Sequence, residues 1–297
     1  GSGTVRAVLG VRGEPGQPED AAKGLVWTQI IEHVEDPGFD GEYVSVTDLD
    51  RGVLAQHPWS LSGGGASELK VRIEARSGSL LSSEVSEIGF GGVTREDDAF
   101  VVGLSTCRRS GIDGARTLPL VEGEFLRDYV LSDQRVDAIW PYDSSSLEPS
   151  ATEPVRRFLW PLKRQLSERV AYGSTQLERG LPWWAYSMFF ADRYRRPLSI
   201  AFAFVATHNH FVLDRGGKVF NRTAPVIKLP EGTSEDDHLA LLGVLNSSTA
   251  CFWLKQVSQN KGNGGIGGGI GDEAWEPRYE FTGTKLQEFP LPGVLPL

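Results

Sequence analysis

After Gly78 the chain rarely keeps one hydrophobic periodicity for more than a few residues before glycine or proline interrupts it. That punctuation is dense, at 35 glycines and 17 prolines in 297 residues. Backbone freedom at glycine and the missing N–H at proline both end regular elements. Short alternating segments bounded by turn residues favour antiparallel strands over a parallel βαβ sheet. Val85–Phe90 and Ala99–Gly103 read as strands around a Gly89–Gly92 turn, and 128–131 and 138–142 read as extended. Residues 199–213 read as paired strands around a Thr207–His210 turn, and 218–229 continues in the same way. Two longer stretches differ. Residues 154–170 place Phe158, Leu159, Leu162 and Leu166 on one helical face. Residues 236–256 form an apolar helix with Asn246-Ser247 in its middle and Ser234 as its cap. The expected class is α+β, a strand-rich domain with antiparallel strands and flanking helices. A connecting segment over 1–79, opening on Gly1-Ser2-Gly3, which reads as a cloning scar, leads into a domain over 80–297. Within the first part, 42–47 alternates as a strand and 67–76 reads as a short helix or strand.

The net charge of −9 at first disfavours a polyanionic partner, but the charge is unevenly placed. Residues 1–154 carry 13 Lys/Arg against 26 Asp/Glu, 155–230 carry 13 against 4, and 231–297 carry 4 against 9. One segment therefore holds the positive field, and a local field steers a polyanion more than the net charge does. The bland alternative is a solvated face whose arginines pair with neighbouring carboxylates. No run of about 18 apolar residues exists for a membrane span. Two distant cysteines, Cys107 and Cys251, fit a reducing cytoplasm better than a disulfide scaffold.

Several chemistries lack their motifs. The glycine run Gly264–Gly271 follows a loop rather than a strand, so it is a poor dinucleotide site. Neither a P-loop nor a G-x-S-x-G elbow occurs. His33-Val-Glu35 matches half of a zinc-deaminase signature without its P-C-x-x-C partner. His208-Asn209-His210 places two imidazoles on one strand face, but a metal needs further ligands that the sequence does not pair with them. No metal is therefore expected. A polar turn is the plain reading of that tripeptide, and a base-edge reader is the sharper one, since Asn is suited to bidentate recognition of adenine. Trp183-Trp184 reads as core packing, with stacking on DNA as the functional alternative.

These segments, in this order, resemble a known family. Val85–Val102 looks like an opening strand–turn–strand, Ala138–Asp143 (A-I-W-P-Y-D) like a hydrophobic-Pro-Tyr step, and 154–170 like a basic helix. Residues 199–229 look like central strands with an F-x-L-D-R turn at Phe211–Arg215, and Leu241–Phe252 (L-L-G-V-L-N-S-S-T-A-C-F) like a helix carrying L-N-S, followed by Lys255–Gly262. Together they resemble the TaqI-like target-recognition region that follows the catalytic domain in type IIG-like N6-adenine DNA methyltransferases. The similarity points in particular to the large methyltransferases of BREX phage defence, with the DISARM methylase as a neighbour. It covers 80–297 by motif and 4–79 more loosely.

The resemblance implies a division of labour. In such enzymes a catalytic half binds S-adenosylmethionine through a Gly-rich loop and holds the flipped adenine with an Asn-Pro-Pro-Tyr step. Neither stands in this sequence, so no cofactor is expected here, and the chain reads as an excised portion that selects double-stranded DNA for a catalytic domain of the same parent. Cations on phosphates set affinity and register, while side chains at base edges set sequence. The phosphate candidates are Arg157, Lys163, Arg164, Arg193, Arg195, Arg196 and Lys261. The base-reading candidates are His208, Asn209, His210, Asn221, Arg222, Asn260 and Asn263. The competing reading is a protein-interaction module whose acidic first 154 residues dock other defence proteins or a phage inhibitor. Calorimetry of the isolated chain with S-adenosylmethionine is expected to show no saturable heat. Binding of the cofactor would contradict the division of labour.

Overall fold

The computed structural model describes residues 3–55, 59–132, 136–261 and 277–295. Its centre is a four-stranded antiparallel sheet in the order 211–214, 199–202, 226–228, 87–89. Ser199–Phe202 is buried at every position because both faces of the sheet are covered. Side chains alternate across a strand, and the core divides accordingly. Ile200, Phe202 and Ile227 join the cluster under the C-terminal helices with Leu241, Leu245, Trp253 and Leu254. Ala201, Val212 and Val226 face a second cluster with Val121, Leu126 and Phe220. A second four-stranded sheet runs 219–220, 117–121, 137–139, 101–102, with one parallel pairing between Val219–Phe220 and Thr117–Val121. Its core holds Phe100, Ile139, Trp140, Tyr142, Leu159, Leu166 and Tyr186. The α+β class with antiparallel strands is therefore as expected from the punctuation.

The helix expected over 236–256 is two helices, Glu235–Leu245 and Ser248–Val257. Ser234 and Asp237 form a reciprocal capping box at the first. Asn246 ends it and Ser247 caps the second by accepting from the Ala250 amide. Asn246 does more than stop a helix. Its Oδ1 accepts from the Phe211 amide at 2.9 Å and its Nδ2 donates to the Phe211 carbonyl at 2.9 Å. One side chain thus completes the strand edge as a neighbouring strand would. The stretch 154–170 is likewise divided, into Glu153–Leu159 and Lys163–Glu168 around Trp160-Pro161-Leu162, because Pro161 has no N–H to give. Leu159 and Leu166 are buried as expected, while Leu162 is exposed. Of the strand expected over Ala99–Gly103, Ala99 and Phe100 belong to the helical turn Asp97–Phe100, and only Val101–Val102 pairs.

Near the N-terminus, Thr4–Gly10 pairs antiparallel with Val44–Asp50 over seven positions. Ala66–Ala75 is a helix whose Glu74 accepts from Trp253 Nε1 at 3.0 Å, and Ser79–Leu80 pairs with Pro290–Leu291. No helix among the described residues is long and apolar enough to cross a membrane.

The Asn246 arrangement generates a measurable expectation. Asn246→Ala leaves the Phe211 N–H without a partner in a half-buried setting, while the Phe211 carbonyl keeps the Tyr129 amide, and should lower stability by about 1–3 kcal/mol. Urea denaturation followed by tryptophan fluorescence would measure it. A loss within about 0.5 kcal/mol would show that water replaces both bonds.

Candidate functional site

The turn Asn221–Thr223 is held rigidly against the segment 121–123. The Asn221 amide donates to the Val121 carbonyl at 3.1 Å, and its Nδ2 donates to Glu122 at 2.8 Å. Asn221 Oδ1 accepts from both the amide and the hydroxyl of Thr223, the local bonding that makes Asn favourable in turns. Thr223 Oγ1 in turn accepts from the Gly123 amide. A Cβ on Gly123 would meet the Thr223 carbonyl at 2.4 Å, so the approach requires glycine. Arg222, at the tip, is exposed.

Two concavities adjoin this turn. The first, about 430 Å³, is lined by Thr94, Arg95, Met188, Asn221 and Arg222 among others. The second is wider, about 990 Å³, and takes in Glu122, Glu124, Arg127, Asp128, Thr207, His208, His210, Thr223 and Arg278. Arg95 is exposed and sits at φ 57, a left-handed conformation that a non-glycine residue adopts at some energetic cost. The turn is fixed from below: the Thr94 hydroxyl bonds Asp97, and the Thr94 carbonyl accepts from buried Arg169. Four arginines line the combined cleft, together with the acids Asp97, Glu122, Glu124 and Asp128. Burial, with Glu124 and Asp97 nearby, raises the Glu122 carboxyl above its ordinary range, opposed by the bond from Asn221. The surface is one of mixed sign, cationic at particular points rather than uniformly basic.

The candidates from the sequence distribute unevenly over this site. Arg157, Lys163 and Arg164 lie on the helix pair 153–168, are not among the residues lining the two concavities, and are all exposed. Lys163 Nζ stands 4.4 Å from the Trp160 ring, and Arg164 pairs with Glu168 at 2.9 Å. Arg193 is paired with Glu87 at 3.0 Å and bonds the Phe90 carbonyl; Arg196 bonds the Leu229 carbonyl and Ser86 Oγ. Arg195 is exposed and pairs with Asp192. Lys261 pairs with Glu280 at 2.5 Å, and Asn260 lies in the short strand Gln259–Asn260. Asn263 and the Gly264–Gly271 run lie outside the described residues.

Of the base-reading candidates, Asn221 and Arg222 line the first concavity, and His208 and His210 line the wider one. His208 and His210 have ring centroids 4.1 Å apart, although the backbone there is not a regular strand. Asn209 between them is 4% exposed and donates to the Leu245 carbonyl at 2.5 Å, so its amide serves the helix end in this structure. His210 is buried and bonds Asp128 Oδ1 through Nδ1 at 2.7 Å. Burial and the neighbouring His210 push the His208 imidazole below its ordinary range. Trp183 and Trp184 are both half-buried against the core, and the outward aromatic of that region is Trp160, at edge-to-face distance from Trp183.

Three site residues were invisible to sequence reasoning. Arg95 is surrounded by acids in sequence, Arg127 lies outside the basic segment, and Asp128 meets the histidines from 82 positions away. Only the fold brings them to the cleft.

No protein-family model matches the chain. The chain is 45% identical over 306 aligned positions to the adenine-specific methyltransferase PglX of Streptomyces coelicolor, covering 99% of this chain and 25% of that protein. It thus spans about a quarter of the length of the curated relative. Among solved structures, the type IIG restriction endonuclease BpuSI overlays 90% of this chain and 31% of its own with a TM-score of 0.48 at 9% identity, a likeness too loose to carry an argument.

Proposed function

We propose that this chain is the part of an adenine-specific DNA methyltransferase that selects the DNA site. The observation that carries the reading is the 45% identity, sustained across 99% of the chain, to one quarter of such an enzyme. The chain itself has no S-adenosylmethionine loop and no Asn-Pro-Pro-Tyr step in its sequence. In this reading a catalytic domain of the same parent binds the cofactor and transfers the methyl group. The BREX-type phage-defence setting and the TaqI-like character of the domain belong to the same proposal.

The cleft around Asn221–Thr223 is the favoured DNA face. Arg95 and Arg222 are exposed there and make no hydrogen bond, ion pair or ring contact among the described residues. Bringing them to phosphate breaks nothing within the protein. Exposed pairs such as Arg164–Glu168 and Arg195–Asp192 are weak and exchange easily for phosphate, so these residues are supplementary contacts. Arg193 is different, since it is mostly buried and holds Glu87 and the Phe90 carbonyl. His208, partly open to the wider concavity that Arg127 and Arg278 also line, is the base-edge candidate on that side.

A second reading, a protein-docking module, is favoured by one observation. The helix Leu25–His33 buries none of its residues, and Leu25, Trp27 and Ile31 are each about half exposed. The two readings differ in what duplex DNA should do. Fluorescence anisotropy with a labelled duplex at low salt should show saturable binding that weakens steeply with salt. Arg95→Glu with Arg222→Glu should weaken binding to all sequences alike and reduce the salt slope by about 2, roughly one per lost phosphate contact. Unchanged affinity in a folded double variant would remove this cleft from the interface, and no binding by the parent chain would favour docking.

A further inference from the structure

Asp128, His208 and His210 converge on one wall of the wider cleft, from the loop after Leu126–Arg127 and the turn before Phe211–Asp214. We propose that they form a binding site for a divalent first-row transition-metal ion of the Zn²⁺ or Co²⁺ kind, with its remaining coordination positions open to the cleft. One ligand atom from each residue lies within 4.8 Å of the others. The tightest pair, His210 Nδ1 and Asp128 Oδ1, is 2.7 Å apart. An ion with bonds of about 2.0–2.1 Å spaces adjacent ligands by about 3 Å. A modest closure of the partly exposed His208 therefore completes the set, and the ion replaces the proton shared between His210 and Asp128.

The chemistry of the donors selects the class of ion. Two imidazoles and one carboxylate suit zinc, cobalt, nickel or iron, whereas calcium and magnesium prefer oxygen throughout. The outer contacts are those a ligating histidine uses. Thr207 Oγ1 lies 3.0 Å from His208 Nδ1, which fixes that ring and leaves Nε2 without a partner among the described residues. Ligation needs neutral imidazole, so binding should strengthen as pH rises from the acid side. Arg127 and Lys255 oppose a cation at this position. Asp128 as ligand and Glu122 and Glu124 in the same cleft offset them. Three protein ligands leave room for water or an anionic oxygen, unlike the closed four-ligand sets of structural zinc. The inference stands whether or not the cleft takes DNA.

The test uses the whole chain, dialysed against chelator and then titrated with CoCl₂ and ZnCl₂. One equivalent should bind, seen by calorimetry and, for cobalt, by visible absorption bands of nitrogen and oxygen ligation. His208→Ala and Asp128→Asn, chosen because both side chains are more exposed than His210, should each weaken binding at least about tenfold. Their thermal melts without metal should match the parent. His33→Ala, removing the separate His33–Asp36 contact, should leave the affinity unchanged. No saturable binding of either ion, or binding that survives both site variants, would overturn the proposal.

Discussion

The structure depends on one buried arginine. Arg169 is 6% exposed and has no carboxylate partner at ion-pair distance among the described residues. Its guanidinium instead donates to the carbonyls of Leu166, Thr94, Trp183 and Ala185, with Phe100 beneath it at 5.4 Å. Burial draws its pKa down to about 10, which still leaves it charged at neutral pH. A buried charge is tolerated only when its hydrogen bonds are met, and here they come from three separate stretches of chain. Nearby, Gln176 bonds the Pro182, Ala185 and Tyr186 carbonyls, and Arg179 bonds the Ser187 carbonyl. This polar network fixes a segment with little regular structure. Through the Thr94 carbonyl it also sets the turn that presents Arg95 to the cleft.

That network changes the meaning of the basic segment. Of its thirteen cations, Arg157 and Arg222 are the two that make no hydrogen bond, ion pair or ring contact among the described residues. Lys228 is buried and donates to the Arg196 and Leu198 carbonyls, and Arg193 and Arg196 hold the loop beside the central sheet. Much of the positive charge therefore organises backbone within the protein. Linear charge counts locate a basic stretch but carry no information on which way each side chain points.

The parts of the fold that could be read in advance rest on local chemistry. The strand pairing within 199–213, the cap at Ser234 and the burial of Leu159 and Leu166 follow from neighbours in sequence, and they appear where expected. The break at Asn246-Ser247 was hidden because apolar residues continue at helical spacing across it, although Ser247 is itself a good cap. Asn209 shows the opposite difficulty. Its amide suits a base edge and a helix carbonyl equally, and only the position of Leu245 shows which one it serves. The cleft was hardest to foresee, because Arg95, Asp128, His208 and Arg222 meet only through sheet pairings between distant segments.

The central claim is that this chain chooses the DNA sequence for a methyltransferase. The most direct test exchanges the matching quarter of the Streptomyces coelicolor relative for this chain and reads methylated adenines across a host genome by long-read sequencing. The chimera should modify a different sequence from the one the unaltered enzyme modifies, with the catalytic part untouched. An active chimera that still methylates the original sequence would place site selection elsewhere in the enzyme and contradict the claim.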